Sequence, residues 1–546
     1  MVKRLLAMAV LVVCICCFVL APCAASSSIS VYVDPRIELL AAVHLLSGYG
    51  EKTGLITSYS FEYKQDMEKY FQPYREHRAV MLFSEMGKRG FSFGVMPEAM
   101  LYLSDPPQLR QRLPFPENVK IYAGGEKQLA EFIEALRDFA RVSNFQEFFE
   151  AHRDTYRSIL IKVRREMIGT DWISDLEDYY GMKKESYNII LAPLFHQGGY
   201  GPQLQWPDGR CELFNISGPS DVADGLPIFL GENERLRVLS WHEFGHSFAD
   251  PVTYKYREEL AKYASLYDPI VEDIRKQGYG VWQDCVREHI VRAVEVRLIH
   301  HAIGKEAAEF RIYADRRKGF VYLEILCNQL EDYEKQRDKY PTFESFYPEL
   351  VGVFKSLAEQ DLGKDFYKLP FEGPISAVAS DQKSMVFIVP THESDKEAQN
   401  VIHGMVKRIR EGDWFKDSPV MTDDEALNRD LSAKNIFVLG TLSGNSWLAK
   451  YASELPIKIF SDRIEARKTH NGENLRMIAA WPNPQNIENG VRVYTAQQAR
   501  DLAGIHAIMH GSRDYVIANG DEVLEKGFFW KSYDGWTLEH AERLLD

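Results

Sequence analysis

The chain is short of cysteine, of basic charge and of long apolar runs. It has seven cysteines in 546 residues, and four of them, Cys14, Cys16, Cys17 and Cys23, fall within the first 25. The three that remain, Cys211, Cys285 and Cys327, are odd in number and irregular in spacing. That excludes a disulfide framework and a C-x-x-C zinc pattern. Lys and Arg number 65 against 79 Asp and Glu, a net charge of −14. Such a surface repels phosphate, which argues against nucleic acid as a partner. It argues equally against electrostatic docking on anionic lipid. Beyond the N-terminal segment no stretch is long and apolar enough to span a bilayer. Internal repeats, heptads and low-complexity tracts are also lacking.

The N-terminal segment reads as an export signal. Lys3 and Arg4 precede an apolar run from Leu5 to Ala21, and small residues follow at Ala24, Ala25 and Ser26. This order of charge, apolar core and small residues is that of a secretory signal peptide over residues 1–25, so the expected location is periplasmic or extracellular. Leu20-Ala21-Pro22-Cys23 partly matches a lipoprotein cleavage box, with Pro22 where a small residue is preferred. A lipid anchor is therefore the lesser alternative. The remaining chain is too long for one core, and its 45% apolar and 12% aromatic content suits two or three packed domains.

Five residues carry the chemistry: His242-Glu243-Phe244-Gly245-His246, an H-E-x-x-H pattern. On a helix, positions i and i+4 share a face, so both imidazoles reach one metal ion. Zinc accepts nitrogen ligands and leaves a coordination position for water, beside which Glu243 stands as general base. The surroundings fit a buried helix. Leu236, Val238, Leu239, Phe244 and Phe248 recur at helical spacing. Between Leu239 and Ala249 Glu243 is the sole residue with a permanent charge. The expected helix begins near Glu232 and ends near Asp250, because Pro251 disfavours continuation. The competing reading is a structural helix with two hydrogen-bonded core histidines.

A third ligand must come from elsewhere. Ala249 and Val252 occupy the positions where metzincins carry glycine and histidine. Asp250 is eight residues from His242, about 12 Å along a regular helix, too far to share an ion with it. The remaining common solution is a glutamate on a second helix, and residues 281–298 offer one. Glu288, Arg292 and Glu295 recur at i, i+4 and i+7 on one face, while Val286, Ile290, Val294 and Leu298 form another. Glu288 leads the charged face and is the expected ligand, with Arg292 as its orienting partner. Glu295 is the alternative. A solvated ion-pair row is the simplest competing account of that face.

The zinc segment resembles that of gluzincin-type metallopeptidases. Three stretches together, Val33-Asp34-Pro35-Arg36-Ile37-Glu38-Leu39-Leu40, His242 to Phe248, and Glu288-His289-Ile290-Val291-Arg292-Ala293, are similar to an exported bacterial family designated domain of unknown function 4932. The resemblance covers roughly residues 31 to 360. It implies a metallopeptidase with His242, His246 and Glu243 in its H-E-x-x-H, and it leaves the substrate open.

The pattern along the chain gives an α+β fold: a mainly helical zincin-like catalytic region with a small sheet, then a separate α/β open-sheet domain. Residues 31–185 read as helical, with Asp34-Pro35 opening a helix that Gly48 ends. Residues 186–362 read as the zinc-binding core. Strands are expected at Tyr187–Pro193 and Arg210–Ile216. The small sheet is where zinc peptidases hold an extended substrate, a role implied by the resemblance. Gly198 to Gly201 either allows close backbone approach or turns the chain. Asn215-Ile216-Ser217 is a glycosylation sequon. Residues 375–546 alternate strands at 384–390, 435–440, 457–460, 475–480 and 514–517 with helices at 396–411, 446–454 and 496–510, which implies a parallel or mixed sheet. Gly440-Thr441-Leu442-Ser443-Gly444-Asn445 lacks the Walker lysine and reads as a turn, with a ligand site as the alternative.

These features lead to an exported zinc metallopeptidase acting on peptide or protein substrates. Tyr254, Tyr256, Tyr279 and Arg292 are candidate oxyanion donors. The alternatives are a zinc hydrolase of a non-peptide amide, and an exported binding protein whose metal site is structural or vestigial.

Overall fold

The computed structural model describes residues 29–168, 171–229, 234–360, 362–379, 384–411, 415–532 and 535–538. The export segment lies outside these residues, as does the expected helix start at Glu232. The described chain is α+β and divides into two compact units. The first runs to Arg257 and includes Ile290–Leu298 and Leu330–Glu349; the second holds Glu258–His289, Ile299–Gln329 and Leu350–Asp546.

The first unit is built around helix α1 (Pro35–Ser47), in which every residue from Arg36 to Leu46 is buried. Its start follows from local chemistry. Asp34 accepts the Arg36 backbone N–H at 2.8 Å, Pro35 occupies the first turn, and Gly48 at φ 63° closes the helix. The Asp34 carboxylate also receives the Arg36 guanidinium in a two-pronged pair at 2.9 and 2.6 Å. The other end of that guanidinium binds the carbonyls of Leu101 and Leu103. A helix buried on all sides normally carries no charge. Here Glu38 accepts from Tyr63 Oη at 2.5 Å, and burial pushes its carboxyl up to about 8.

The first unit also holds a sheet of β1 (Ile29–Tyr32), β2 (Ser186–Leu191), β3 (Gln203–Gln205) and β4 (Cys211–Ser217), in the order β1-β2-β4-β3. β1, β2 and β4 are parallel, and the edge strand β3 runs antiparallel to β4. The antiparallel pairing begins before β3, since Tyr200 and Ile216 exchange both backbone hydrogen bonds and Phe214 N–H donates to Pro202 O. By the alternation of such ladders, the backbone groups of Gly201 and Gln203 face the open edge. Asn215 is fully buried within β4, donating to Ser240 and accepting from Ser217, so the sequon is closed to glycosylation in the folded chain.

Helix α2 (Trp172–Tyr180) and helix α3 (Arg235–Lys255) pack together through Trp241, whose Nε1 donates to Trp172 O at 2.9 Å, and through Tyr180 stacked on Phe248. The expected end of α3 near Asp250 is corrected: the helix runs through Pro251 to Lys255. A proline removes one N–H from the ladder, a local loss. Packing beyond it offsets that loss, because Val252 and Thr253 are buried, Thr253 Oγ1 accepts from Tyr347 Oη at 2.8 Å, and Tyr256 stacks on Tyr347. Helix α4 (Trp282–Ala302) is a single uninterrupted helix of 21 residues.

The second unit contains a seven-stranded sheet: β5 (Met385–Val389), β6 (Val420–Thr422), β7 (Asn435–Leu439), β8 (Leu475–Asn483), β9 (Asn486–Ala496), β10 (Tyr515–Asn519) and β11 (Glu522–Gly527). Their order is β11-β10-β8-β9-β7-β5-β6. The half from β9 to β6 is parallel and the half from β11 to β9 is antiparallel, which makes the sheet mixed. Helix α5 (Lys396–Glu411), which follows β5, packs with Met385, Phe387 and Val389 on one face. Helices α6 (Asp423–Leu427) and α7 (Ser446–Tyr451), which follow β6 and β7, pack with Val386 and Ile388 on the other.

Two sequence expectations fail here. Residues 496–510 do not form a helix but two short 3₁₀ turns, at Ala499–Leu502 and Ile505–Ala507. Gly504 at φ 79° breaks the run between them. The preceding segment, not expected as a strand, is β9, paired along β8 with Val491 and Val493 buried on one face and Tyr494 and Ala496 on the other.

Candidate metal centre

Helix α3 presents His242 and His246 one turn apart with ring centroids 5.0 Å from each other, and α4 supplies Glu288. Ligand atoms of His242, His246 and Glu288 all lie within 4.8 Å of one another, so this group could hold one metal ion. Glu288 is 2% exposed and His242 8%.

The second nitrogen of each imidazole is already committed. His242 Nδ1 lies 2.8 Å from Glu295 Oε2, and His246 Nδ1 lies 3.2 Å from Asp250 Oδ1. An ionised carboxylate only accepts, so each Nδ1 carries a proton, and in the neutral imidazole that tautomer puts the lone pair on Nε2. Two imidazoles with lone pairs and one carboxylate form the donor set expected of a catalytic zinc site with room for water. The residues present therefore fit the ion. Paired carboxylates behind ligating histidines also fix ring orientation and raise basicity.

Glu295 and Asp250 thus stand behind the histidines, while Glu288 is grouped with them. Seven residues on a helix is two turns, which puts Glu288 and Glu295 on one face but at different heights. Glu288 joins the group of potential ligand atoms, and Glu295 meets Nδ1 of His242. Arg292 is half-buried on the intervening turn. The role of Asp250 was missed in the sequence, although its i+4 spacing from His246 is the signal that would have found it.

Glu243 is 7% exposed and lies under the glycine-rich segment before β3. A Cβ at Gly199 would meet Glu243 Oε1 at 2.9 Å, and one at Gly201 would meet Glu243 O at 2.4 Å and Oε2 at 2.9 Å. These glycines therefore serve close approach of backbone to the acid, not merely a turn. Between them Tyr200 Oη lies 2.8 Å from His196 Nε2. Burial, with the Glu243 charge second, raises the Tyr200 phenol well above its ordinary range. Burial lowers His196.

The other candidates disperse. Tyr254 is 66% exposed beneath the Arg257 guanidinium, Tyr256 stacks on Tyr347, and the Tyr279 carbonyl accepts from Tyr267. His289 is a core histidine whose Nδ1 lies 2.8 Å from Cys285 O. Among the described residues Cys211, Cys285 and Cys327 form no disulfide.

No curated protein and no solved structure matches this chain. Residues 29–353, more than half of the chain and spanning all of α3 and α4, match the model of one family. The chain belongs to the family described as Domain of unknown function (DUF4932).

Proposed function

We propose that this is an exported zinc metallopeptidase of gluzincin type with a zincin-like catalytic region. The observation that carries the reading is the pairing of both H-E-x-x-H imidazoles with carboxylates through Nδ1, which turns two Nε2 atoms and the Glu288 carboxylate into a preorganised set. His242, His246 and Glu288 would hold the ion, which when bound supplies a Lewis acid and lowers the pKa of water to about 7. Glu243 would take the proton of the attacking water and deliver it to the leaving amine. Glu295 and Asp250 keep the imidazoles in the ligating tautomer. The open edge at Gly201 and Gln203 offers backbone groups to an extended peptide, as strand addition requires.

The test pairs zinc analysis with turnover on a peptide library. Wild type should carry zinc and cleave. Glu243→Gln should carry the same zinc and lose turnover by at least 100-fold, the low end of what a general base contributes. Full activity in Glu243→Gln would overturn the mechanism. Zinc without cleavage of any peptide, but with hydrolysis of small amides, would move the substrate class.

A further inference from the structure

We propose that His392, Asp423 and Asp424 form a second divalent-metal site, in the second unit and independent of the H-E-x-x-H centre. Ligand atoms of these three residues lie within 4.8 Å of one another. His392 Nε2 is 2.9 Å from both Asp424 oxygens and 3.9 Å from Asp423 Oδ2. Donors bound to one ion at about 2.1 Å are separated from each other by about 3 to 3.5 Å, so the ion fits with small rotations.

Topology places this cluster where open α/β sheets bind ligands. His392 follows β5 and Asp423 follows β6, and both lie at the carboxyl ends of adjacent parallel strands. The chain leaving β5 turns to one face of the sheet and the chain leaving β6 turns to the other. With the strand order β6-β5-β7 the switch point of the sheet lies between β5 and β7, and the cluster sits beside it, tied to the segment after β7 by Ser446 N–H donating to Asp423.

Charge supplies an independent reason. Asp423 is fully buried, and Glu393, next to His392, is 2% exposed. Asp423 accepts from Thr391 Oγ1 at 2.7 Å and Ser446 N–H at 2.6 Å; Glu393 accepts from Thr441 N–H and Oγ1, both at 2.7 Å. These are neutral donors. Among the described residues no Lys or Arg comes within ion-pair distance of either carboxylate; the basic group that reaches Asp423 is the His392 imidazole of the cluster itself, at 3.9 Å and shared with Asp424. The nearby Lys396 ammonium is spent on Thr391 O and Gln399. Buried carboxylates are ordinarily paired with a cation or bound to a metal, because hydrogen bonds alone leave the charge uncompensated. Asp424 and His392 are exposed on the outer side, so water completes the coordination. One imidazole and two carboxylates suit zinc or manganese over calcium.

The experiment is equilibrium dialysis of the full mature chain against zinc, for wild type, His392→Ala, Asp424→Ala, His246→Ala and the His246→Ala/His392→Ala pair. Both second-site residues are exposed, so their removal leaves the core intact; Asp423 is left in place because it holds two loops. Two ions per chain are expected in wild type, one fewer in each single variant and none in the pair. Added zinc should raise the melting temperature of His246→Ala but not of the pair. Unchanged zinc in both His392→Ala and Asp424→Ala would overturn the site and leave an ordinary His–Asp surface pair. Unchanged zinc in His246→Ala would instead count against the first centre, so the two readings fail separately.

Discussion

Replacing Glu295 by glutamine separates a ligand from its supporter. Glu295 is 1% exposed and accepts from His242 Nδ1 at 2.8 Å. Glutamine keeps the volume and an oxygen acceptor but removes the charge. A hydrogen bond to an ionised group contributes about 1.5–3 kcal/mol and a neutral one about 0.5–1.5, so the substitution costs about 1–1.5 kcal/mol of imidazole orientation and basicity. That is roughly a tenfold weakening of zinc affinity, at the lower end of the 10–100-fold typical for such partners. Glu295→Ala adds a buried imidazole N–H without acceptor and should approach about 100-fold. The assay is competitive titration with a chromophoric zinc chelator, which needs no substrate. Glu288→Gln, read beside it, should lose far more, because it removes a donor from the ion itself. The reasoning is refuted if Glu295→Gln abolishes zinc binding as completely as His246→Ala, for Glu295 would then be a ligand. It is refuted equally if affinity does not change.

Three further outcomes are expected. Gly201→Ala puts a methyl 2.4 Å from Glu243 O, about 1 Å inside ordinary contact. The resulting shift should lower turnover by about 100-fold with zinc retained, since misplacement on the order of 1 Å costs about that much; unchanged kcat/KM would show that the loop does not set the position of Glu243. Asp250→Asn should weaken zinc binding less than Glu295→Gln does, because its pair with His246 is longer at 3.2 Å and more exposed, as chelator titration would show. Glu38 has a folded pKa raised by burial to about 8. A raised carboxyl means the native state binds the proton that the unfolded state releases, so stability falls as pH rises from about 4.5 to about 8. Glu38→Gln should remove that decline, a gain over wild type on the order of 4 kcal/mol at pH 8, seen as a widening difference in urea midpoint; parallel pH profiles would contradict it.

Local rules made α1 legible in full, because Asp34, Pro35 and Gly48 act on their own neighbours. H-E-x-x-H was legible for the same reason: helical spacing alone brings His242 and His246 together. The end of α3 was not, because a proline's local cost was outweighed by Tyr347, a residue 94 positions from its partner Thr253. The helix misread at residues 496–510 failed similarly, since pairing with β8 governs β9.

The sequence by itself determined the two imidazoles, the glutamate beside the first and two acidic residues on one face of a second helix. All of that follows from periodicity, which depends on neighbours three or four positions away. Which glutamate joins the histidines and which stands behind them was decided by the height at which α4 meets α3, and the pressing of Gly199 and Gly201 onto Glu243 by where the sheet edge crosses that helix. These are relations between elements far apart in the chain, and no local spacing encodes them.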